Sequence, residues 1–205
     1  MPPCWASARF EGALRTAVTA YKDDGRRDLR PLLADGLAVA LAAALSGEGA
    51  LRAAAARGDP VLVVPMPTSP GARRRRGDDP VGDLTRAAVD WVRAGDARAL
   101  AVAPVLEHVR TVADQSHLGR TERQANLAGA MRVAPGARPL VRGSTCVLAD
   151  DVVTTGATLA EAARALRDAG ARHVVAVAVA ATASRFPVGR DTASAVPLVS
   201  GRNPG

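Results

Sequence analysis

Four short apolar runs constrain the fold of this chain more than any other feature. They cover residues 61–66 (VLVVPM), 99–106 (ALAVAPVL), 146–149 (CVLA) and 173–181 (HVVAVAVAA). Runs of this length that lack polar alternation are typical of strands buried on both faces of a sheet. Helical segments separate the runs, so the sequence predicts an α/β fold with a central, mostly parallel sheet flanked by helices.

The helices are predicted from apolar residues that recur at helical spacing. In the second helix, leucines fall every four residues after Pro31, and Gly47 and Gly49 are expected to end it. The four predicted helices cover residues 9–21, the stretch from Pro31 to Gly47, 83–93 and 157–169.

Length and composition indicate one domain. The chain has 205 residues, of which 48% are hydrophobic and 23% charged, enough for a single packed core. We expect this domain to span residues 1–182, with an N-terminal helical part in 1–50, and residues 183–205 to form a flexible tail. Two distant cysteines, no secretory signal and no run long enough to cross a bilayer predict a cytoplasmic protein without a membrane span.

The chain carries a net charge of +7, almost all of it from arginine, because Lys22 is the only lysine. Such a charge fits either a generic basic surface or a face that binds nucleic acid. No helix-turn-helix signature or set of stacking aromatic residues supports a dedicated DNA-binding face. Both interpretations stay open at this point.

Residues 147–159 (VLADDVVTTGATL) carry candidate ligand-binding side chains, and they lie where the third apolar run meets a predicted helix. Ligands bind at the carboxyl ends of parallel strands, which is where Asp150 and Asp151 fall. The free N–H groups at the start of the following helix suit a phosphate, and Gly156 lets the backbone approach it closely. Carboxylates repel phosphate but accept hydrogen bonds from sugar hydroxyls or hold Mg²⁺. An ordinary strand–turn–helix with a threonine cap would explain one threonine but not the acid pair.

This segment resembles the phosphoribosyl-pyrophosphate (PRPP) binding motif of type I phosphoribosyltransferases. The resemblance implies that Asp150 and Asp151 are the catalytic residues that bind the ribose 2′- and 3′-hydroxyls. It also implies that these two acids bind Mg²⁺, directly or through water or the ribose hydroxyls. The implied 5′-phosphate site consists of Thr154, Thr155, Gly156, Ala157 and Thr158.

Three other segments are similar to ComF-like phosphoribosyltransferases, which are associated with competence and DNA uptake. These segments are YKDDGRRDL, VVPMPTSPGARRRRG and RTVADQSHLGRTERQANLAGAMRV. The last segment matches the family pattern R-T-x-x-x-Q-x-x-L-x-R-x-x-R-x-x-N. The resemblance extends from about residue 9 to about residue 181, and the residues that match this pattern are Arg110, Thr111, Gln115, Leu118, Arg120, Arg123 and Asn126.

The family resemblance implies two further site regions. A loop after the first predicted strand would bind pyrophosphate through Pro67, Thr68 and Ser69, and Arg73 or a neighbouring arginine would neutralise it; the alternative is that the arginine cluster is a solvated charge run. Residues 107–125 correspond to a mobile hood loop that closes over the substrate. The hood residues implied to act are Arg110, Thr111, Gln115, Arg120 and Arg123.

Two departures from the family pattern bear on function. Of the four cysteines of the usual zinc module only Cys4 is present, so no zinc is expected. Asp78-Asp79-Pro80 replaces the usual F-N-Q, which brings negative charge beside the expected pyrophosphate loop.

Two hypotheses follow. The first is a Mg²⁺-dependent transfer of phosphoribosyl from PRPP to an unidentified acceptor. The second is a non-catalytic ComF-like protein that keeps the PRPP pocket for sensing and acts in DNA uptake or recombination through its basic surface. DNA or the competence machinery would be a partner in the second, and a homodimer is compatible with both.

Overall fold

The computed structural model describes residues 1–68, 71, 77–94, 99–109 and 129–182. Seven strands lie in these ranges: β1 (Cys4–Arg9), β2 (Val61–Pro65), β3 (Leu100–Val102), β4 (Leu106–His108), β5 (Met131–Val133), β6 (Thr145–Val153) and β7 (His173–Ala181). The α-helices in the same ranges are α1 (Gly12–Asp23), α2 (Arg30–Gly47), α3 (Gly49–Arg57), α4 (Pro80–Ala94), α5 (Arg138–Val141) and α6 (Ala157–Asp168).

Five strands form a parallel sheet in the order β1-β7-β6-β2-β3. The prediction of an α/β fold with a parallel sheet flanked by helices is therefore confirmed. The remaining strands, β4 and β5, pair antiparallel as a separate two-stranded ribbon. Its two strands flank residues 110–128 in the sequence, and β4 overlaps the start of the segment 107–125 interpreted above as the hood loop.

Alternating residues of the central strands pack into two hydrophobic cores, one on each face of the sheet. In β2, Val61 and Val63 pack in the core that contains α2 and α4, whereas Leu62 and Val64 pack in the core that contains α6. Consecutive side chains of a strand point to opposite faces, so an unbroken apolar strand needs a helical layer on each side. This requirement explains why the apolar runs predicted the sheet well.

Helix α2 belongs to the first of these cores. Residues Arg27–Gly47 are long and apolar enough, with a mean hydropathy of 1.5, to cross a membrane on these criteria alone. In the fold, however, Leu33, Leu37 and Leu41 are at most 1% exposed. Gly36 packs so closely that an added Cβ would lie 3.2 Å from Ser7 Oγ and from Val179 Cγ1. The apolar character of α2 is thus explained by packing against the sheet.

The predicted strand over residues 99–106 is wrong as a single strand. The sheet strand β3 ends at Val102, and Leu106 begins β4 in the separate ribbon. Pro104 stands between them, and proline has no N–H to give to a ladder and a fixed φ, so it is excluded from the interior of a central strand. The chain leaves the sheet here and starts the ribbon.

The order of the strands creates a crevice at the carboxyl edge. From β2 the chain moves outwards to β3, and it then returns to place β6 on the other side of β2. The helices after β2 and β6, α4 and α6, consequently pack in opposite cores. Ligands of open parallel sheets bind in the crevice at such a switch point. The loops after Pro65 and Val153 border it.

Candidate active site at the switch point

Asp150 and Asp151 lie where β6 loses its neighbour on one side. Pairing between β2 and β6 ends at Pro65 and Ala149, and the Met66 N–H donates the last bond to the Ala149 carbonyl. On the other side, β6 stays paired with β7 as far as Val153. The two acids are therefore inside the strand rather than beyond its end. The departure of β2 opens the crevice beside them.

A cavity of about 340 Å³ fills this crevice. The loop after β2 lines one side of it through Met66, Pro67 and Thr68, and both acids line the other. Lys22, Thr158 and His108 also line it, from α1, α6 and β4. The structure thus brings together residues that are far apart in the sequence and that the sequence analysis assigned to the ribose, phosphate and pyrophosphate sites.

The two acids have different environments. Asp151 is only 2% exposed, and its carboxylate lies 2.9 Å (Oδ2) and 3.0 Å (Oδ1) from Lys22 Nζ. Its Oδ1 also accepts the Val152 N–H at 2.8 Å. Asp150 is half-buried and accepts the N–H of Asp151 at 2.9 Å. Burial raises the pKa of Asp150 to about 8, and the neighbouring Asp151 charge adds to the effect while Lys22 opposes it.

The start of α6 has the geometry expected for a phosphate cradle. Gly156 immediately precedes the helix with φ at +73°, in the left-handed region that favours glycine, and as a glycine it has no side chain to cap the helix. In the first turn the Ala157 N–H donates a long hydrogen bond of 3.4 Å to Thr155 Oγ1, and the N–H groups at a helix start suit a phosphate. Thr154 and Thr155 are exposed beside it, as is Thr158.

Met1 lies against this cradle. A Cβ atom built on Gly156 would collide with the Met1 sulfur, which shows how closely the thioether approaches the loop. Met1 itself is 59% exposed, so few contacts hold its side chain in place. A phosphate that binds to Gly156 has to displace this side chain first.

Asp78 and Asp79, which depart from the family pattern, each have polar or charged partners in the structure. Asp78 forms an ion pair with Arg27, whose guanidinium also donates to the Tyr21 carbonyl and stacks 4.8 Å from the Tyr21 ring. Asp79 precedes α4, where its Oδ1 accepts the Gly82 N–H at 3.3 Å and the Thr68 hydroxyl at 2.9 Å. A carboxylate at a helix N-terminus is stabilised by the dipole. Asp78 is thus paired with a cation through one oxygen, while its Oδ1 is buried without a hydrogen-bond partner among the described residues, and Asp79 is held by neutral donors.

Several predicted site residues fall outside the part of the chain that the structure describes. They are Ser69 and Arg73 of the pyrophosphate loop and the hood residues Arg110, Thr111, Gln115, Arg120 and Arg123. The expected tail, residues 183–205, also lies outside it. In the described ranges, no group of three or more His, Cys, Asp or Glu side chains is arranged to hold a metal ion.

Two site residues were missed by the sequence analysis. Lys22 lies in the family-like segment YKDDGRRDL but was not among the predicted site residues, and its contact with Asp151 spans 129 positions. Its being the only lysine in an arginine-rich chain was the available signal. His108 lies in the predicted hood segment but was not among the residues expected to act there. Its Nε2–H donates to the Pro67 carbonyl at 3.1 Å and so fixes the loop after β2 to β4.

The helix that carries the phosphate loop is also fixed to the ribbon. Glu161 Oε1 of α6 accepts the Met131 N–H at 3.1 Å, and Arg164 Nη2 donates to the Met131 carbonyl at 2.9 Å. The two side chains also form a two-point ion pair of 2.7 and 2.8 Å. Burial opposes ionisation of Glu161, but Arg164 and the Met131 amide together lower its pKa.

We expect Glu161→Gln to lower the free energy of unfolding by about 1–2 kcal/mol at neutral pH, because a buried charged acceptor is lost. A lowered pKa means that this stabilisation is present above the unfolded-state pKa and disappears as the pH falls through the folded-state pKa. Urea unfolding at neutral pH and below about pH 4 measures it. Arg132→Gln is the matched control, because Arg132 pairs with Glu107 on the exposed surface of the same ribbon. An equal loss in both variants would contradict the prediction.

Comparisons with a family model and with known proteins match part of this chain. A family model described as "Phosphoribosyl transferase domain" matches residues 95–197, half of the chain. Ribose-phosphate pyrophosphokinase of Shewanella oneidensis is 37% identical over 84 residues, which are 41% of this chain and 24% of that protein. The enzyme of the same name from Xanthomonas campestris pv. campestris is 42% identical over 82 residues, 40% of this chain and 23% of that protein.

A third such protein, from Neisseria meningitidis serogroup A, is 34% identical over 105 residues, 51% of this chain and 29% of its own length. The chain thus spans about a quarter of the length of these relatives. A solved structure of "the allosteric regulatory enzyme of purine biosynthesis" superposes with a TM-score of 0.43 and 18% identity, over 79% of this chain and 30% of that one. On the strength of the family match, which includes the acid pair and the phosphate loop, the chain belongs to the phosphoribosyl transferase domain family.

Proposed function

We propose that this chain is a ComF-like phosphoribosyltransferase that transfers the phosphoribosyl group of PRPP to an acceptor and releases pyrophosphate. The observation that carries the proposal is the cavity at the switch point, where one carboxylate-bearing strand edge and the first turn of α6, through Thr158, face the same space. Those two features suit a ligand with a hydroxylated ring at one end and a phosphate at the other. The related proteins named above are, by their name, pyrophosphokinases of ribose phosphate, enzymes that transfer a diphosphate group to that sugar phosphate.

Each part of PRPP has a place in this proposal. Asp150, which lines the cavity, accepts hydrogen bonds from the ribose hydroxyls, and the neighbouring Asp151 supports the position of Asp150. Residues 154–158 bind the 5′-phosphate, and the loop of Pro67 and Thr68 binds the diphosphate. The adjoining cavity of about 590 Å³, lined by Arg86, Glu107 and His108 among others, offers room for the acceptor.

The mechanism needs positioning and electrostatics more than proton transfer. Departure of pyrophosphate leaves positive charge on the ribose ring, and the carboxylates below the ring stabilise it. Fixing the donor at both ends places C1′ for attack by the acceptor. Residues of the hood, which include Arg110 and Arg123, are proposed to close over the diphosphate and exclude water.

The carboxylates also fit Mg²⁺. This ion is usually held by one or two carboxylates together with substrate phosphates and water rather than by a complete protein cage. Asp150 and Asp151 are two such carboxylates, and of these Asp151 is already paired with Lys22. When bound, Mg²⁺ would neutralise charge on the departing pyrophosphate.

The test is pyrophosphate release from PRPP in the presence of Mg²⁺ and a panel of purine, pyrimidine and amine acceptors. We expect release with at least one acceptor and none without protein. Calorimetric titration of PRPP accompanies the assay, so that binding is measured separately from turnover. Binding without release by any acceptor would remove the catalytic part of the proposal, and absence of binding would remove all of it.

A basic groove favours a second function, that of a competence-associated protein that binds DNA. The groove has a volume of about 480 Å³, lies at the opposite edge of the sheet and is lined by Arg57, Arg142 and Arg172. Asp59 also lines this groove, however, and pairs with Arg57 at 2.7 Å, so the net positive charge of the groove is smaller than its three arginines indicate. Binding to phosphates predicts that DNA affinity falls steeply with added salt, and affinity independent of salt would exclude it.

A further inference from the structure

Lys22 is placed to contact a ligand as well as Asp151. Its side chain is 42% exposed, whereas that of Asp151 is 3% exposed. The two atoms of the Asp151 carboxylate are bound by Lys22 and by the Val152 N–H. Asp151 is thus buried in the ion pair, whereas the Lys22 side chain is partly exposed. Since Lys22 lines the cavity, part of its side chain borders the space where a ligand would bind.

The charges of the groups that line the cavity indicate a role for Lys22 in ligand binding. Asp150 and Asp151 contribute acidic groups, and PRPP would add the negative charge of its phosphates. Among the described residues that line the cavity, Lys22 is the only one with an ammonium or guanidinium group. A diphosphate in this cavity would otherwise face two carboxylates with little positive charge from the described lining, an arrangement that costs energy in a desolvated site.

The position of α1 favours the diphosphate end of the ligand over the 5′-phosphate end. Lys22 shares the cavity of about 340 Å³ with the loop after β2 and with Thr158 of α6, so a flexible four-carbon side chain could reach towards either, and the side of the sheet on which it lies decides between them. Lys22 comes from the last turn of α1, which packs with the core on the α2 and α4 side of the sheet. The phosphate loop belongs to α6, which packs in the other core.

We propose that Lys22 binds the diphosphate group of the ligand and that Asp151 positions Lys22 for this contact. The inference rests on the proposed function, because it takes PRPP as the ligand. It assigns the two acids different roles. Asp150 binds the ribose hydroxyls, and Asp151 acts mainly by positioning Lys22.

The experiment compares ligands with and without the diphosphate. PRPP and ribose 5-phosphate are titrated calorimetrically, with Mg²⁺, into the wild type, Lys22→Met and Lys22→Arg. We expect Lys22→Met to weaken PRPP binding about tenfold or more and to change ribose 5-phosphate binding less than about twofold. Lys22→Arg should recover part of the PRPP affinity. Equal weakening of both ligands, or of neither, would overturn the inference.

Controls separate this role from a structural one. Arg26→Met removes a positive charge near α1 from a fully exposed pair with Asp28 and should leave both affinities unchanged. Because Lys22→Met leaves a buried carboxylate without its partner, that variant is prone to unfold. Lys22→Met is therefore also made in an Asp151→Asn background and compared with Asp151→Asn alone. Relative to the wild type, a loss in these variants that is specific to PRPP supports the diphosphate contact, and a loss shared equally by ribose 5-phosphate shows that Lys22 only serves Asp151.

The outcome also distinguishes the inference from the proposed function. If the wild type binds ribose 5-phosphate and PRPP but Lys22 variants do not discriminate between them, the pocket assignment stands and the lysine assignment fails. If the wild type binds neither ligand, both fail together.

Discussion

Replacing Asp150 by asparagine is expected to stabilise the empty protein while weakening its binding of PRPP. The pKa of Asp150 is raised to about 8 by burial and by the neighbouring Asp151. Between its unfolded-state pKa and about pH 8 the folded protein therefore binds more protons at this site than the unfolded chain does. Stability falls as the pH rises through that window, because the carboxylate must either stay protonated or ionise in a poor environment.

The asparagine variant removes this cost. We expect the free energy of unfolding to rise by about 2 kcal/mol at pH values near and above 8, with little change below about pH 4. The gain stays below the full value implied by the shift because Asp150 borders a cavity that water enters. Asp90→Asn is the control, since Asp90 lies on the exposed side of α4. Equal changes in the two variants, or a gain largest in acid, would contradict the prediction.

The same variant should lose affinity for PRPP by about 10- to 100-fold, because a charged acceptor of hydroxyl groups is replaced by a neutral one. Ribose hydroxyls or Mg²⁺ supply the partners that the ionised carboxylate lacks in the empty site. Ligand binding should therefore release a proton from the wild type near neutral pH. Calorimetry in buffers of different ionisation enthalpy measures this release, which should be absent in Asp150→Asn.

The sheet was predictable because its strands are apolar on both faces. The predicted run 173–181 coincides with β7, and the predicted run 61–66 matches β2 to within one residue. By contrast, β1 was missed: CWASAR forms an edge strand whose side chains are only partly buried, so it lacks the continuous apolar signal. Helix α3 was missed for a different reason. Gly47 and Gly49 were taken as the end of helical structure, but the chain leaves the helix only at Glu48 and then continues.

The candidate site was predictable to the extent that it is local in sequence. One segment carries Asp150, Asp151 and the phosphate loop, so strand and helix periodicity sufficed to place them at one edge of the sheet. The partners that complete the site come from distant segments: Lys22 reaches Asp151, and Asp79 holds Thr68. Pairing of this kind depends on how α1 and α4 pack, which local patterns do not specify. The compensation of Asp78 by Arg27 was unpredictable for the same reason.

Gly156→Ala is expected to remove phosphate binding at the start of α6. Gly156 has φ at +73°, so alanine there is strained by about 1 kcal/mol, and its Cβ would occupy the space through which a phosphate approaches the backbone N–H groups. We expect the affinities for PRPP and for ribose 5-phosphate to fall together, by about tenfold or more. This joint loss differs from the PRPP-specific loss expected for Lys22→Met, because both ligands carry the 5′-phosphate.

Gly143→Ala provides a control with the same backbone strain at a different place. Gly143 has φ at +74°, no atom lies within 4 Å of its added Cβ, and it lines the groove at the far edge of the sheet. Both variants should therefore lose similar thermal stability, measured by melting, while only Gly156→Ala loses ligand affinity. Equal affinity losses would assign the effect to destabilisation of the fold. Unchanged affinity in Gly156→Ala would show that the first turn of α6 does not bind the phosphate, and the ligand assignment at this end of the cavity would fail.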